Sequence, residues 1–540
     1  QVVRSAGVVF AAVFLSRLTG LAREMVMANK FGAGFSHDSF LLGFRIPNLT
    51  RDLFAEGALS SAFIPSFASS LANGDKRQAA ELANLVTTAI VLIVGLLCIL
   101  GIIFAPQLVW LFAPGFAAVP GKFALAVRLT RIMFPFLPLI ALAAQATGML
   151  NSSGSFGIPA AAGIFFNVGS ICCGLLLGFV AGPRLGVTAI EGMAYGVVAG
   201  GALQLGWQLL KLRSLGFRFR PAWNWSHPGL RHIFHLMLPA IVGNAAIQIN
   251  VMVNTSFASQ LHDPLRGPDG PVSWLAFALR FVQLPLGLFA VAFVSAMLPS
   301  VSRSAAAKNF DEFRRTLAHS LGMIFLLTIP SSLALIVLGR PLIGAVYQSG
   351  HFQVYDTQQT ALALACYSIG LVAYASARVL SPAFYALSDA RTPMYISLLS
   401  ILANIAIPLV LLKVLHMNFA ALALTTAIAV TLECLALAEC LRRKLGGLEG
   451  RYLKDCFLRV TAASMVMAAP LIFLDQQFAE HIPATRSAYC NELAIGVPLG
   501  LLIFYCAARF FRVAEIGFAS EVFIAPLLRK LNGTHAKIRS

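Results

Sequence analysis

Four arginines lie within or beside long apolar segments of this 540-residue chain: Arg17, Arg23, Arg51 and Arg280. A guanidinium group stays charged at physiological pH and offers a rigid fork of donors that fits phosphate oxygens. Charged groups inside apolar segments are costly, and they usually face a bundle interior or a water-filled cavity. Because few carboxylates lie near these arginines, the sequence predicts a cationic cavity that receives a polyanion such as pyrophosphate.

Other polar residues share the same segments. Asp38, Glu56 and Ser273 are predicted to contact the same substrate, and Ser273 lies seven residues before Arg280. Asp38, Arg45 and Asp52 repeat at intervals of seven, a spacing at which their charges can neutralise one another along one helix face. A last set is interpreted as snorkelling residues or members of intramembrane ion pairs: Arg128, Arg131 and Arg378.

The composition is that of a membrane protein. Hydrophobic residues make up 58% of the chain, charged residues 11%, and the mean hydropathy is +0.80. Soluble domains carry about 25% charged residues, and a soluble fold of this size lacks the polar shell to cover so much apolar surface. The net charge of +18 comes mostly from residues that flank apolar runs, so we expect membrane lipids and no nucleic acid as partners.

Motifs for catalysis and cofactor binding are absent from the sequence. It contains no GxxxxGK[ST] phosphate loop, no HExxH and no GxSxG with a plausible triad. The nine cysteines form no CxxC pair, and the histidines are scattered. We therefore predict no ATP, no cofactor, no metal site and no catalytic residues.

Apolar runs of about 20 residues, the length of a spanning helix, occur about fourteen times. The predicted fold class is therefore an all-α polytopic membrane protein. The run over 37–71 is too long for one straight span and contains Pro47, which predicts a bend or a partly surface-lying segment. A basic, aromatic linker over 216–229 separates six predicted helices in 1–215 from eight that follow it.

Loop charges predict the orientation. Alternate loops hold seventeen lysines and arginines in one set and seven in the other. Because the more basic loops face the cytoplasm, an even number of spans places both termini there. The remaining loops are short, which leaves no room for a soluble catalytic domain.

Several stretches resemble the MurJ (MviN) family of lipid II flippases. The first is long and specific, and it begins with Ser16-Arg17-Leu18-Thr19-Gly20-Leu21-Ala22-Arg23-Glu24. It continues through Phe31-Gly32-Ala33-Gly34, Asp38 and Pro47-Asn48-Leu49-Thr50-Arg51-Asp52-Leu53-Phe54-Ala55-Glu56-Gly57-Ala58. Later matches are Ser273-Trp274 to Arg280, Gln283-Leu284-Pro285, and Asp389 with Arg391-Thr392-Pro393.

The resemblance implies a transporter of the multidrug/oligosaccharidyl-lipid/polysaccharide exporter superfamily. It divides the C-terminal helices into a second six-helix lobe (230–445) and two extra helices (446–512), followed by a tail over 513–540. The four arginines would meet the pyrophosphate of lipid II in a central cavity, and the extra helices would hold its polyprenyl tail. The resemblance further implies alternating access by a monomer in the bacterial inner membrane.

One departure from the family and two alternatives bear on function. Asn254 and Pro408 stand where some members would place sodium-binding carboxylates, so no sodium site is predicted. A polysaccharide-lipid or drug exporter of the same superfamily is one alternative. A membrane glycosyltransferase that uses the same lipid-linked substrate is the other, and it would need one of the loop acids Asp263, Asp269, Asp356 and Glu480.

Overall fold

The computed structural model consists of helices joined by loops in the part of the chain it describes. The described ranges are 2–51, 60–72, 76–225, 227–287, 291–413 and 418–519. Within these ranges there is no β-strand, only an isolated bridge between Asp263 and Gly267. The predicted all-α class is confirmed.

The chain forms two compact units, with the division between Ser273 and Trp274 and with residues 350–352 in the first unit. The helices of the first unit are α1 (Val2–Phe31), α2 (Phe35–Arg51), α3 (Ser60–Ala72), α4 (Lys76–Ile103), α5 (Ala105–Phe112), α6 (Lys122–Met133), α7 (Phe136–Ser152), α8 (Gly157–Leu175), α9 (Gly182–Leu185), α10 (Ala189–Ser214) and α11 (Pro228–Ser259).

Helix α12 (Pro271–Pro285) begins in the first unit and continues in the second. The other helices of the second unit are α13 (Val291–Ala306), α14 (Phe310–Val337), α15 (Gly339–Tyr347), α16 (Val354–Ile369), α17 (Leu371–Ala386), α18 (Arg391–Lys413), α19 (Ala420–Leu445), α20 (Gly450–His481), α21 (Arg486–Phe510) and α22 (Glu515–Ala519). The predicted lobe boundaries at 215, 230 and 446 stay predictions.

Eight helical segments of the described ranges are long and apolar enough to cross a membrane. Two of them join neighbouring helices: α6 with α7 (Lys122–Ser152), and α8 with α9 (Gly157–Leu185). The pair α16 and α17 forms a ninth if its bend of 44° lies within one span. A polytopic membrane protein is thus confirmed, whereas the number of fourteen spans stays a prediction.

The predicted run over 37–71 contains two helices. Helix α2 is described as far as Arg51 and α3 from Ser60, while residues 52–59 lie outside the described part, so the bend expected in this run stays a prediction. Pro47 itself lies inside α2, where it lacks the N–H that an α-helix uses.

Glycines bring α10 and α8 together in the first unit. A Cβ added to Gly196 would lie 2.5 Å from the backbone oxygen of Ser170, and one added to Gly200 would lie 2.5 Å from that of Phe166. No real side chain tolerates such distances, so the two backbones approach closely because these positions are glycine. This packing fixes Phe166, which contacts an arginine of the candidate site.

Candidate functional site

Helix α1 carries the first two predicted site residues, Arg17 and Arg23. It packs against α8, where the Asn167 amide donates to the backbone oxygen of Ser16 at 3.1 Å and to the Thr19 hydroxyl at 3.3 Å. These contacts hold the α1 backbone at the turn that carries Arg17. The Arg17 side chain itself is exposed, and it makes no ion pair with a carboxylate within the described ranges.

Two aromatic rings flank Arg23. Its guanidinium carbon lies 5.6 Å from the ring centroid of Phe44 and 5.1 Å from that of Phe166. Both distances fit cation–π attraction, which is strong for arginine when the contact is shielded from water. The rings come from α2 and α8, so three helices of the first unit determine where this half-buried cation lies.

A fully buried carboxylate, Asp38, lies in the first turn of α2. Its Oδ1 accepts from the backbone N–H of Ser273 at 3.0 Å and from the Ser273 hydroxyl at 2.5 Å. Its Oδ2 accepts from the backbone N–H of Gly270 at 3.0 Å and from the ammonium of Lys122 at 2.9 Å. Asp38 therefore attaches the start of α12 and the loop before it to α2.

The ammonium of Lys122 has three oxygen partners and one aromatic neighbour. Besides Asp38, it donates to Asp269 Oδ1 at 2.7 Å and to the backbone oxygen of Pro268 at 3.1 Å. The Phe116 ring centroid lies 4.6 Å from it. Lys122 is completely buried. Burial of this charge is tolerated because three hydrogen bonds, two of them to carboxylates, replace the water around the ammonium.

His37 extends this network. Its Nδ1 lies 2.8 Å from the Ser273 hydroxyl oxygen. A serine hydroxyl has a single proton, and that of Ser273 is used toward Asp38, so His37 Nδ1 carries a proton and donates to Ser273. His37, Asp38 and Ser273 are all buried.

The structure thus places the predicted site residues in different settings. It brings Asp38 and Ser273 into direct contact, and it puts Arg17 and Arg23 six residues apart on α1. Arg280 is half-buried on α12 in the second unit. Arg51 is the last residue of α2, but its side chain lies outside the described part of the structure, as does the whole of Glu56.

Two charges behave differently from expectation. By its position in the sequence Lys122 is one of the seven basic residues of the less basic set of loops, yet in the structure it is the buried partner of Asp38. Arg45 donates to the Thr255 hydroxyl of α11. Mutual neutralisation of Asp38, Arg45 and Asp52 along one helix face stays a prediction, because Asp52 lies outside the described residues. No signal in the sequence distinguishes Lys122 from the other basic residues of the loops. Its second acidic partner, Asp269, lies in the loop that precedes α12.

A second cluster of charge lies in the turn between α17 and α18. The Asp389 carboxylate accepts from the backbone N–H of Thr392 at 3.1 Å, from the Thr392 hydroxyl at 2.7 Å and from the ammonium of Lys444 at 2.7 Å. The Lys444 hydrogen bond, followed by those of Thr392, holds the pKa of Asp389 well below its usual range. This aspartate caps the start of α18 and links it to the end of α19.

Comparison with known proteins decides the family. A family model described as "Lipid II flippase MurJ" matches residues 27–525 of the chain. The chain belongs to the MurJ family. A MurJ relative from Vibrio cholerae, named a probable lipid II flippase, is 34% identical over 414 residues, which are 75% of this chain and 77% of that protein.

Solved structures give the same result for the fold. The chain matches a MurJ lipid II flippase in an inward closed conformation with a TM-score of 0.74 at 25% identity, over 93% of this chain and 98% of the other. An inward-facing multidrug resistance MATE family transporter of the MOP superfamily matches with a TM-score of 0.66 at 15% identity, over 82% and 99%. The second likeness shows the fold alone. MurJ proteins are named as flippases, so the prediction of a transporter rather than an enzyme is confirmed.

Proposed function

We propose that this protein carries lipid II, a polyprenyl-pyrophosphate-linked peptidoglycan precursor, from the cytoplasmic to the periplasmic leaflet of the bacterial inner membrane. Membership of the MurJ family supports the substrate. The single structural observation that carries the proposal is Arg17, an exposed arginine in the apolar helix α1 that pairs with no carboxylate of the described ranges. Such a cation favours the binding of an anionic ligand.

The pyrophosphate of lipid II suits this arginine. Guanidinium donates two parallel hydrogen bonds to phosphate oxygens, and each charge-assisted bond contributes about 1.5–3 kcal/mol. We propose that Arg23, Arg51 and Arg280 act with Arg17 on the same pyrophosphate. The rings of Phe44 and Phe166 would then support Arg23 by orienting its guanidinium plane.

Asp38 and Ser273 have a different part in the proposal. Both are buried and already hydrogen bonded to each other and to Lys122 or His37. We propose that they contact the substrate headgroup only when this network opens during alternating access. Glu56 is proposed as a further substrate contact on the basis of its sequence position. The protein is proposed to work as a monomer without ATP, with both termini in the cytoplasm.

The glycosyltransferase alternative is disfavoured by the loop acids that it needs. Asp263 caps its own turn by accepting from the backbone of Leu265 and Arg266 at 3.0 Å. Asp269 is paired with Lys122, and Asp356 is fully buried and accepts from the Trp274 indole at 3.0 Å. Of the four acids, only Glu480 is exposed. It belongs to no catalytic motif, and a single exposed acid does not make a glycosyl-transfer site.

A drug exporter of the same superfamily is disfavoured by charge. An exporter of cationic drugs uses carboxylates inside its helices, whereas this chain places arginines there. The likeness to the MATE transporter concerns the fold and leaves the substrate open.

The deciding experiment asks where lipid II resides when the protein is depleted. In a bacterial strain that depends on this chain, lipid II on the outer leaflet is labelled with a membrane-impermeant antibiotic that binds it. A flippase predicts that depletion removes the label while total lipid II rises. If depletion instead leaves labelled, unpolymerised lipid II outside, the protein acts after translocation and the proposal fails.

A further inference from the structure

A buried carboxyl group lies near the turn that joins α20 and α21. Glu492 of α21 is completely buried. The short helix α15 packs tightly against α21 here, because Gly344 of α15 has no side chain. A Cβ added to Gly344 would lie 2.2 Å from the ring of Tyr489. Asp475 lies six residues before the end of α20 and Glu492 six residues after the start of α21. The group is thus about 9 Å along the helices from the connecting turn.

No donor reaches the Glu492 carboxyl. Neither of its oxygens has a hydrogen-bond partner among the described residues. The charged side chain that acts on it from α20 is another carboxyl, that of Asp475. The two helices are in contact here, since Leu474 of α20 lies 3.3 Å from where a Cβ on Gly496 of α21 would be. Two carboxylates cannot hydrogen bond to each other, since both only accept; they can do so only when one of them carries a proton.

A cation of α15 pairs with Asp475. Arg340 of α15 donates to Asp475 Oδ1 at 3.0 Å and to the Asp475 backbone oxygen at 3.2 Å. One guanidinium compensates one negative charge, which leaves the second carboxyl without compensation. In a site of low dielectric constant two adjacent carboxyls do not both ionise, and the group instead retains a proton.

We propose that Glu492 and Asp475 form a proton-binding site in the C-terminal helix pair, in which one proton is shared between the two carboxyls and Arg340 balances the remaining charge. This assignment goes beyond lipid transport and does not depend on it. The site links three helices. Arg340 of α15 pairs with Asp475 of α20, and the shared proton joins Asp475 to Glu492 of α21.

The surroundings allow the proton to exchange with solvent. The Arg340 and Asp475 side chains are 27% and 25% exposed, whereas Glu492 is completely buried. Tyr489, one turn before Glu492, is the other titratable group at the site. At the end of α14, Leu338 makes an apolar contact with Gly496 of α21. Asp475 is therefore the more solvent-accessible of the two carboxyls.

Proton binding by the folded state has a defined effect on stability. The unfolded chain releases this proton at neutral pH, while the folded protein retains it. Folding therefore becomes less favourable as pH rises, because the folded state binds more protons than the unfolded state. Glu492→Gln keeps the shape of the protonated carboxyl and removes its titration.

Infrared spectroscopy of the purified protein in lipid nanodiscs tests the site directly. We expect the difference spectrum of wild type minus Glu492→Gln at neutral pH to contain a protonated-carboxyl C=O band. The matched control Glu480→Gln removes an exposed carboxyl of the same helix pair and should give no such band. If Glu492→Gln fails to accumulate, Asp475→Asn replaces it, because loss of either carboxyl removes the shared proton. Identical protonated-carboxyl bands in wild type and the variant would overturn the proposal.

Melting temperature gives the second readout. Between about pH 6 and about pH 9 the wild-type value should fall by about 2–4 °C more than that of Glu492→Gln. Equal pH dependence of the two proteins would contradict a shared proton. A wild-type melting temperature that rises with sodium at fixed ionic strength, and does so only when Glu492 is present, would show that the site takes a metal cation and would also overturn the proposal.

Discussion

The ammonium of Lys122 lies 2.9 Å from a carboxylate oxygen of Asp38, and both side chains are completely buried. The two residues are 84 positions apart and belong to α6 and α2. Their partners Asp269 and Ser273 come from the loop before α12 and from its first turn. One lysine and one aspartate thus hold three parts of the first unit together.

Removing the lysine should destabilise the protein strongly. Lys122→Met leaves Asp38 buried without its counter-charge, and breaking a buried ion pair in this way costs about 3–5 kcal/mol. We expect a lower melting temperature in detergent and less protein in the membrane. Lys308→Met, which changes an exposed lysine, is the matched control and should behave like wild type. Normal abundance and an unchanged melting temperature for Lys122→Met would mean that the pair contributes little.

Removing the Ser273 hydroxyl should have a smaller effect. Ser273→Ala deletes one donor to Asp38 and the acceptor of His37, while the backbone N–H of Ser273 still donates to Asp38. Loss of one buried hydrogen bond costs about 1–3 kcal/mol. The control is Ser320→Ala, whose hydroxyl donates only within its own helix, to the Thr316 oxygen. Thermal melting of both variants is the measurement, and equal values would argue against the network.

Substrate capture should depend on the charge and shape of Arg17. Arg17→Ala removes charge-assisted hydrogen bonds worth about 1.5–3 kcal/mol, which corresponds to a roughly tenfold to hundredfold loss of lipid II capture. Arg17→Lys should restore only part of it, because an ammonium cannot donate to two oxygens in parallel. Complementation of a depleted strain, with membrane levels checked, is the assay.

The control for Arg17 is Arg128→Ala. The Arg128 side chain is 65% exposed, and it pairs at 2.8 Å with Glu191, whose side chain is 7% exposed. The Glu191 carboxylate keeps the backbone N–H of Thr188 as a donor when Arg128 is removed. This variant should complement. If the alanine variants of Arg17, Arg23, Arg51 and Arg280 all complement at normal levels, the arginines do not bind the substrate.

Acid should weaken the α17–α18 turn. Because Lys444 and Thr392 hold the pKa of Asp389 below that of the unfolded chain, the stabilisation is complete above the unfolded value of about 4 and is lost as pH falls below it. Asp389→Asn should therefore show a flatter decline of melting temperature in acid than wild type. The exposed Asp455→Asn is the control and should follow wild type. The same acid dependence in wild type and Asp389→Asn would exclude this contribution.

Loop charges give a testable topology. Seventeen basic residues in one set of loops against seven in the other predict a cytoplasmic C-terminus. Reporter fusions at Ser540 should be active in the cytoplasm, and fusions in the loop over 262–270 should be active outside. An external Ser540 would require an odd number of spans or the opposite orientation.

The sequence by itself determined the class and the family of this protein. Apolar runs long enough to span a bilayer are a property of contiguous residues, so all-α membrane architecture follows without knowledge of any long-range contact. The same holds for the arginines: a charge such as Arg17 within an apolar run is conspicuous before any fold is known. The N-terminal block that surrounds it indicated the MurJ family, which the family model confirmed.

Only the tertiary structure decided which charges neutralise one another. Along the chain, Lys122 borders an apolar run and resembles an ordinary loop cation, and Asp38 has Arg45 two turns away on its own helix. In the folded protein Lys122 is buried because carboxylates 84 and 147 residues away replace its water. Glu492 is a similar case, since its significance comes from Asp475 and Arg340 on two other helices. The energy of a buried charge depends on what surrounds it in space, and residue spacing along one chain does not contain that information.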